Sequence, residues 1–186
     1  MQKRYGAQYL AAYREILARM KCGMTGAELC GSISHNFIVQ MIPHHEAAIA
    51  MSECVLKFTD SAQLCAIAER IVSSQKQGVA EMQRILRCCG EKKNSPCELK
   101  EYAECSDGIL AQMFRDMDCA CADGCVSCDF MRQMIPHHEG AVRMSENALR
   151  FPVCEQLRPI LCDIIATQKK GICEMERLME KLSCRM

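Results

Sequence analysis

The sequence lacks tryptophan, and it holds only five phenylalanines and four tyrosines among its 186 residues. It also lacks an excess of charge of either sign, since 23 basic and 23 acidic residues give a formal net charge of zero. A chain without net positive charge lacks the electrostatic attraction to phosphate that nucleic-acid binding requires. No apolar run approaches the roughly 18 residues of a membrane span. We therefore expect neither a nucleic-acid partner nor a membrane-spanning segment.

The first residues also lack the apolar core of a secretory signal peptide. On this ground we expect a cytoplasmic location. A periplasmic or other extracytoplasmic location is the alternative, if a leader peptide has been removed.

What the sequence does contain is a repeat. Residues 40–46, with the sequence QMIPHHE, return unchanged as residues 133–139, an offset of 93 residues. Without any gap, the match extends from Phe37 to Met82 in the first copy. The two copies keep their histidines and methionines while neighbouring positions differ. This favours ligand binding, with a purely structural repeat as the alternative.

Apolar residues recur at helical spacing through both copies, and the connectors between the predicted helices are short. Neighbouring helices should therefore be antiparallel. The sequence predicts an all-α fold, a four-helix bundle built from two internal repeats and accompanied by two flanking helices. It predicts one domain over residues 1–186, with repeat one at about 5–89 and repeat two at about 97–182.

Two local signals add detail to the predicted second helix. Ser34 is a good N-cap for it, and Ser127 occupies the same place in copy two. Pro43 lies inside the helix and cannot donate a backbone hydrogen bond. It should therefore kink the helix or start a new one.

Sulfur is the other compositional signal, with 16 cysteines and 14 methionines. A helical chain of this length should not need disulfide staples, and in a reducing cytosol its cysteines would be thiols available as soft metal ligands. A glycine-containing loop carries the spacing CxCxxxCxxC over residues 119–128. That spacing is typical of a metal site, and a disulfide pair is the competing interpretation.

Helical periodicity places Met41, His44 and Met51 on one inward face, with His45 on its flank. An internal two-fold axis would bring His44 and His137 together near the bundle midplane. Thioether, thiolate and imidazole ligands suit Cu(I). The candidate metal ligands are Met41, His44, His45, Met51, Met82, Met134, His137, His138, Met144, Met175, Cys119, Cys121, Cys125 and Cys128.

Each copy also keeps a glutamine and a glycine on the inward face of its second repeat helix. These are Gln75 with Gly78, and Gln168 with Gly171. The glutamine could orient a histidine ring by a hydrogen bond, or it could satisfy a buried backbone group. The glycine would let a neighbouring helix or a bulky side chain approach closely.

Signatures of other chemistries are missing. The Glu-x-x-His motif of di-iron bundles is absent, because Met41 and Ile42 stand three residues before the two histidines. Glu46 and Glu139 follow the histidine pairs but turn away from the inward face. No serine or cysteine nucleophile has a local catalytic signature. We therefore expect no enzymatic activity.

The repeated pattern F-x-x-x-M-I-P-H-H-x-x-A-[I/V]-x-M closely resembles the DUF305 family, over residues 36–86 and 129–179. The resemblance implies a ferritin-like four-helix bundle. It also implies a copper-binding protein of the kind that contributes to copper resistance in bacterial envelopes. Many members are exported, whereas no leader is seen here, and the cysteine content exceeds what the motif requires. The ligands that the resemblance carries over are Met41, His44, His45, Met51, Met134, His137, His138 and Met144.

The expected function is Cu(I) binding, as a storage protein or chaperone in copper homeostasis or resistance. Silver or zinc could substitute for copper in vitro. Copper transporters or copper chaperones are the expected protein partners. The sequence does not determine the oligomeric state, and a homodimer is one alternative. One alternative is a disulfide-stapled structural or interaction bundle without metal. The other is a copper-dependent redox enzyme.

Overall fold

The computed structural model describes residues 2–120 and 122–183, with side chains described for residues 6–120 and 122–182. No strand occurs within these ranges, which confirms the predicted all-α fold. The helices of the described chain are α1 (Gln2–Thr25), α2 (Ile33–Val55), α3 (Ala62–Cys89), α4 (Pro96–Asp118), α5 (Val126–Leu149) and α6 (Leu157–Ser183).

The helices pack as two hairpins against each other. Helix α2 lies against α3, and α5 lies against α6. Across the bundle, α2 contacts α5 and α3 contacts α6. The remaining helices lie outside these four, α1 mainly on α2 and α4 on α5. The histidine-bearing helices α2 and α5 therefore face each other in the interior.

The core is built from the inward faces that helical periodicity predicts. On α1, Tyr9, Tyr13, Ile16 and Met20 are all buried. Apolar burial of this kind is the main favourable contribution to folding. Helix α1 also passes close to α2, because a Cβ on Gly23 would lie 2.8 Å from Cβ of Pro43. Only glycine allows that approach.

Helix α2 continues through Pro43, so of the two effects expected of this proline, the start of a new helix does not occur. The predicted N-caps of α2 and α5 are wrong. The N-cap of α2 is Ser32, whose side chain accepts a hydrogen bond from the backbone N–H of His35, and that of α5 is Cys125. Ser34 and Ser127 lie inside the first turns instead. Their hydroxyl groups are used in tertiary contacts, which a sequence-based reading of helix ends cannot detect.

These contacts join the two hairpins at both ends of the bundle. At one end the Ser34 hydroxyl accepts a hydrogen bond from the backbone N–H of Cys154, at 2.8 Å. At the other end Ser127 bonds the hydroxyl of Thr59, also at 2.8 Å. Each histidine-bearing helix thus begins at the connector of the opposite hairpin, so α2 and α5 run antiparallel.

Within residues 2–120 and 122–183, no helix combines the length and the apolarity needed to cross a lipid bilayer.

Candidate metal centre

The centre of the bundle is a pair of stacked histidines, one from each copy of the repeat. The ring centroids of His44 and His137 lie 3.7 Å apart, with the ring planes tilted by 30°. Nε2 of His44 lies 3.2 Å from the backbone oxygen of His137, and Nε2 of His137 lies 3.1 Å from the backbone oxygen of His44. The two rings are therefore held by a reciprocal pair of hydrogen bonds.

These bonds fix the tautomer of both rings. A carbonyl oxygen can only accept, so Nε2 of each ring must carry the proton and donate it. The lone pair of each neutral ring then lies on Nδ1. A histidine that donates one ring N–H to a backbone carbonyl and keeps the other nitrogen free has the arrangement usual in metal-ligating histidines.

The second histidine of each pair is buried against a glycine. His45 packs on Gly78 of α3, where a Cβ would lie 3.0 Å from Cδ2 and 3.1 Å from Nε2 of the ring. His138 packs on Gly171 of α6, where the same distances would be 2.9 and 3.0 Å. The retained glycines therefore make room for imidazoles. His45, predicted on the flank of the inward face, and His138 are each only 2% exposed.

The four rings form a series across the core. The centroids of His44 and His45 lie 6.0 Å apart, as do those of His137 and His138. With the central stacked pair, the series leads from α3 through α2 and α5 to α6. No sequence position alone indicates this series, because it depends on the facing of α2 and α5.

Burial keeps these imidazoles neutral. Loss of hydration lowers the pKa of His45 to about 3 and that of His137 to about 4. The same burial lowers the pKa of His44 and His138 well below the ordinary value, and repulsion from the neighbouring histidines adds to the effect. Neutral imidazole is the form that binds metal ions.

The site contains several buried polar atoms without partners among the described residues. Nδ1 of each of the four histidines has no hydrogen-bond partner, and neither has Oε1 of Gln75 or Gln168. Buried polar atoms of this kind are rare and call for an explanation such as a missing ion. Neither glutamine oxygen therefore bonds a histidine ring, so orientation of a ring, one of the two roles considered for these glutamines, is not achieved through that atom. The unpartnered atoms are those of His44, His45, His137, His138, Gln75 and Gln168.

An opening between α3 and α6 reaches this site. It has a volume of about 150 Å³, and its lining includes Gln75, Gln168 and His138. Arg70 and Glu174 also line it and form an ion pair at 2.7 Å. An ion could therefore approach the histidines past two amide groups.

The predicted methionine ligands are all in the same core. Each is at most 2% exposed, and each belongs to the hydrophobic core cluster of the described residues. Thioethers are soft, polarizable ligands that an apolar core accommodates readily. These residues are Met41, Met51, Met82, Met134, Met144 and Met175.

The cysteines of the loop over residues 119–128 are brought together only in part. Sγ of Cys125 lies 2.9 Å from Sγ of Cys128, while Cys119 is exposed and joins no group of three clustered ligands within the described residues. Cys121 lies outside the described residues. The loop is held by buried Asp129, which accepts hydrogen bonds from backbone N–H groups of residues 123 and 124. The four-cysteine site therefore stays a prediction.

A different thiol cluster was not predicted as a site. The Sγ atoms of Cys88, Cys89 and Cys154 all lie within 4.8 Å of one another. The predicted antiparallel arrangement of neighbouring helices places all three at one end of the bundle, but it does not indicate that they meet. They do not correspond at the 93-residue offset, so comparison of the copies could not find the cluster.

The fold and the buried imidazole–thioether core define a class of helical-bundle protein with a candidate soft-metal centre. The chain belongs to the DUF305 family, a domain of unknown function, which it matches over residues 34–179. A comparison with curated proteins found no match.

Two solved structures are similar to the chain. One is CopM in its silver-bound form, obtained by soaking, with 25% sequence identity and a TM-score of 0.57. The similarity covers 80% of this chain and 95% of CopM. The other is a DUF305 fragment from Deinococcus radiodurans, with 22% identity, a TM-score of 0.58, and coverage of 80% of this chain and 96% of the fragment. Both support the helical-bundle fold.

Proposed function

We propose that this protein binds Cu(I) in the core of its bundle and serves as a copper store or carrier, without catalysing a reaction. The observation that carries the proposal is the set of four buried, neutral imidazoles whose Nδ1 atoms have no partner. Leaving such an atom buried and unbonded costs about 1–3 kcal/mol. A bound cation would remove that cost.

The surrounding side chains favour a soft ion over a hard one. Carboxylates are the ligands that hard cations prefer. Yet Glu46 and Glu139, which directly follow the histidine pairs, are both exposed and point away from the core. The core offers imidazole and thioether instead, and this combination matches Cu(I).

The similarity to CopM supports the same class of ion. That protein is known in a silver-bound form, and the similarity spans nearly its whole length. Silver(I) is a soft monovalent ion like Cu(I). At 25% identity we carry over to this chain only the class of ion, not particular ligands.

The described cysteines are free thiols, which suits a reducing compartment. Copper transporters or chaperones would be the proteins that exchange copper with this one. The single domain predicted over residues 1–186, with its two repeats, fits a site shared between the copies. A disulfide-stapled bundle without metal and a copper-dependent redox enzyme remain the rival functions, and each would be recognised in the experiment below.

The test compares matched double substitutions by competition with a Cu(I) chelator. The variant His44→Leu/His137→Leu should bind Cu(I) at least about tenfold more weakly than the parent, a loss of at least about 1.4 kcal/mol. Its apo form should remain folded, because leucine removes two buried polar rings. Met41→Leu/Met134→Leu should also weaken binding.

The control is Met20→Leu/Met117→Leu, which changes two equally buried methionines of the flanking helices. Methionine-to-leucine changes conserve volume, so both methionine variants should lose less than about 1.5 kcal/mol of stability per site. Unchanged copper binding by the His44/His137 variant would refute the proposal. Fully oxidised cysteines without bound metal would favour the stapled bundle, and turnover with a redox substrate would favour the enzyme.

A further inference from the structure

The end of the bundle that holds Ser34 carries a cluster of three thiols outside the histidine site. Cys88 and Cys89 are the last two residues of α3, and Cys154 lies in the connector between α5 and α6. All three Sγ atoms lie within 4.8 Å of one another. Among the described residues, this is the one group of three or more histidine, cysteine or acidic side chains whose ligand atoms all lie this close together.

The cluster is held in place by the backbone around it. The Ser32 hydroxyl donates a hydrogen bond to the backbone oxygen of Cys89 at 2.8 Å. The backbone N–H of Cys154 donates to the Ser34 hydroxyl, also at 2.8 Å. Both anchors belong to the start of α2, so the two thiol-bearing segments keep their relative position without a metal ion. Preorganisation of this kind lowers the cost of binding.

Burial and access are divided among the three thiols. Cys89 is fully buried, Cys154 is half-buried and Cys88 is exposed. An ion can therefore enter by way of Cys88 and be enclosed by the other two. The cluster also lies at the C-terminal end of α3, where the helix carries a partial negative charge that favours a cation.

We propose that Cys88, Cys89 and Cys154 form a three-thiolate Cu(I) site, separate from the histidine–methionine core. Thiolates select soft ions. Structural zinc sites almost always have four ligands. Three thiols cluster here in the described chain, and the nearby Oε1 of Gln156, 2.9 Å from Sγ of Cys88, is a neutral oxygen that suits a soft ion poorly. Three soft ligands favour an ion of lower coordination number. The choice of Cu(I) rests on the proposed function, whereas the existence of a thiolate metal site rests on the cluster alone.

Binding must displace protons from the thiols. Burial raises the pKa of the Cys89 thiol far above its usual range, and the neighbouring Cys154 raises it further. In the metal-free protein the thiol is therefore protonated at neutral pH. One Cu(I) and three thiols give one copper–trithiolate and three released protons, with no change of oxidation state.

The two sites are far enough apart to be tested independently. Ser34 and His44 are ten residues apart on α2, which corresponds to about 15 Å along the helix axis. Substitution at one site should therefore leave the ligands of the other in position.

The experiment adds one equivalent of Cu(I) to the full chain, kept reduced by a phosphine, and then alkylates the free thiols. Mass spectrometry should show Cys88 and Cys154 protected by copper, while exposed Cys22, Cys162 and Cys173 react as in the metal-free protein. The parent should also show an ultraviolet thiolate-to-copper charge-transfer band under chelator competition.

The Cys88→Ser/Cys154→Ser variant should lack that band, and its affinity for this equivalent of copper should fall at least about tenfold. It leaves buried Cys89 unchanged, so folding should be preserved. The matched control Cys22→Ser/Cys162→Ser should keep the band and the affinity of the parent. Uniform protection of all thiols, an unchanged band in the Cys88/Cys154 variant, or zinc that Cu(I) does not displace would overturn the proposal.

The His44→Leu/His137→Leu variant separates this inference from the proposed function. If it keeps the protected thiols and the band, the thiol site stands whatever the histidine core does. If it also binds as many equivalents of Cu(I) as the parent, and as tightly, the proposed histidine site fails while the thiol site is untouched.

Discussion

Replacing Gly171 by alanine tests whether the space on α6 positions a metal-binding histidine. A Cβ at this position would lie 2.9 Å from Cδ2 and 3.0 Å from Nε2 of His138. Side chains do not tolerate so short a contact, and the ring is buried, so it cannot move into solvent. The ring must therefore shift within the core, and its Nδ1 atom shifts with it.

Two opposing effects determine the change in stability. Alanine is favoured over glycine in a helix interior by about 1 kcal/mol. Overpacking a core costs about 1–3 kcal/mol. The Gly171→Ala variant should therefore range from unchanged to about 2 kcal/mol less stable. Its affinity for Cu(I) should fall at least about tenfold, as when a residue that orients a metal ligand is lost.

Gly108 provides the matched control. It is exposed within α4, and a Cβ there would meet no atom within 4 Å. Gly108→Ala should therefore stabilise the protein by about 0.5–1 kcal/mol and leave copper binding unchanged. Urea unfolding and chelator competition measure both quantities. If Gly171→Ala is as stabilising as Gly108→Ala and binds copper like the parent, the argument that this glycine positions His138 is wrong.

Three further outcomes are expected. The metal-free protein should lose stability as pH falls from 7 to 5. In the folded protein the pKa is about 3 for His45 and about 4 for His137, both below the ordinary value, so the unfolded chain binds more protons in this range. Each of the two rings should lower the free energy of unfolding by about 2 kcal/mol at pH 5, and a His137→Leu variant with an undiminished pH dependence in urea unfolding would contradict this. Gly124→Ala should cost about 1–2 kcal/mol in the same assay, because φ is +90° there, and a gain in stability would contradict it. Lys76→Ala and Lys169→Ala should each cost less than about 1 kcal/mol, since the ion pairs they break are about half exposed, and a larger loss would show that these pairs matter more than their exposure implies.

Most of the fold could be predicted because it depends on patterns that are local in sequence. The periodicity of α1 indicates the face that carries Tyr9 and Met20, and both residues are buried there. Helix ends were less predictable. Ser34 has the residue type of an N-cap, but its hydroxyl bonds a connector 120 residues further along the chain. Nothing near it in the sequence reveals that partner.

The candidate site was predictable to the extent that the repeat encodes it. The repeat and an assumed two-fold axis indicate that His44 and His137 meet, and their rings are stacked in the structure. The complete burial of His45 was not predicted from its place on the flank of α2, but Gly78 indicates it. A glycine kept on the inward face of α3 implies a bulky neighbour, and the neighbour is that ring. The cluster of Cys88, Cys89 and Cys154 gave no such signal, because it joins segments that correspond to nothing in the repeat.

The reciprocal bonds of the central pair show why two copies serve this site better than one. Each ring donates from Nε2 to a backbone oxygen of the other copy, so the acceptor is a feature of the fold and not of any side chain. A substitution of His137 leaves the carbonyl that His44 needs, and the reverse holds for His44. The backbone of the facing helix, and not any one side chain, therefore keeps Nδ1 of each ring unprotonated. Duplication of a single helical unit supplies both carbonyls at once, and with them two imidazoles in the tautomer that a metal ion can use.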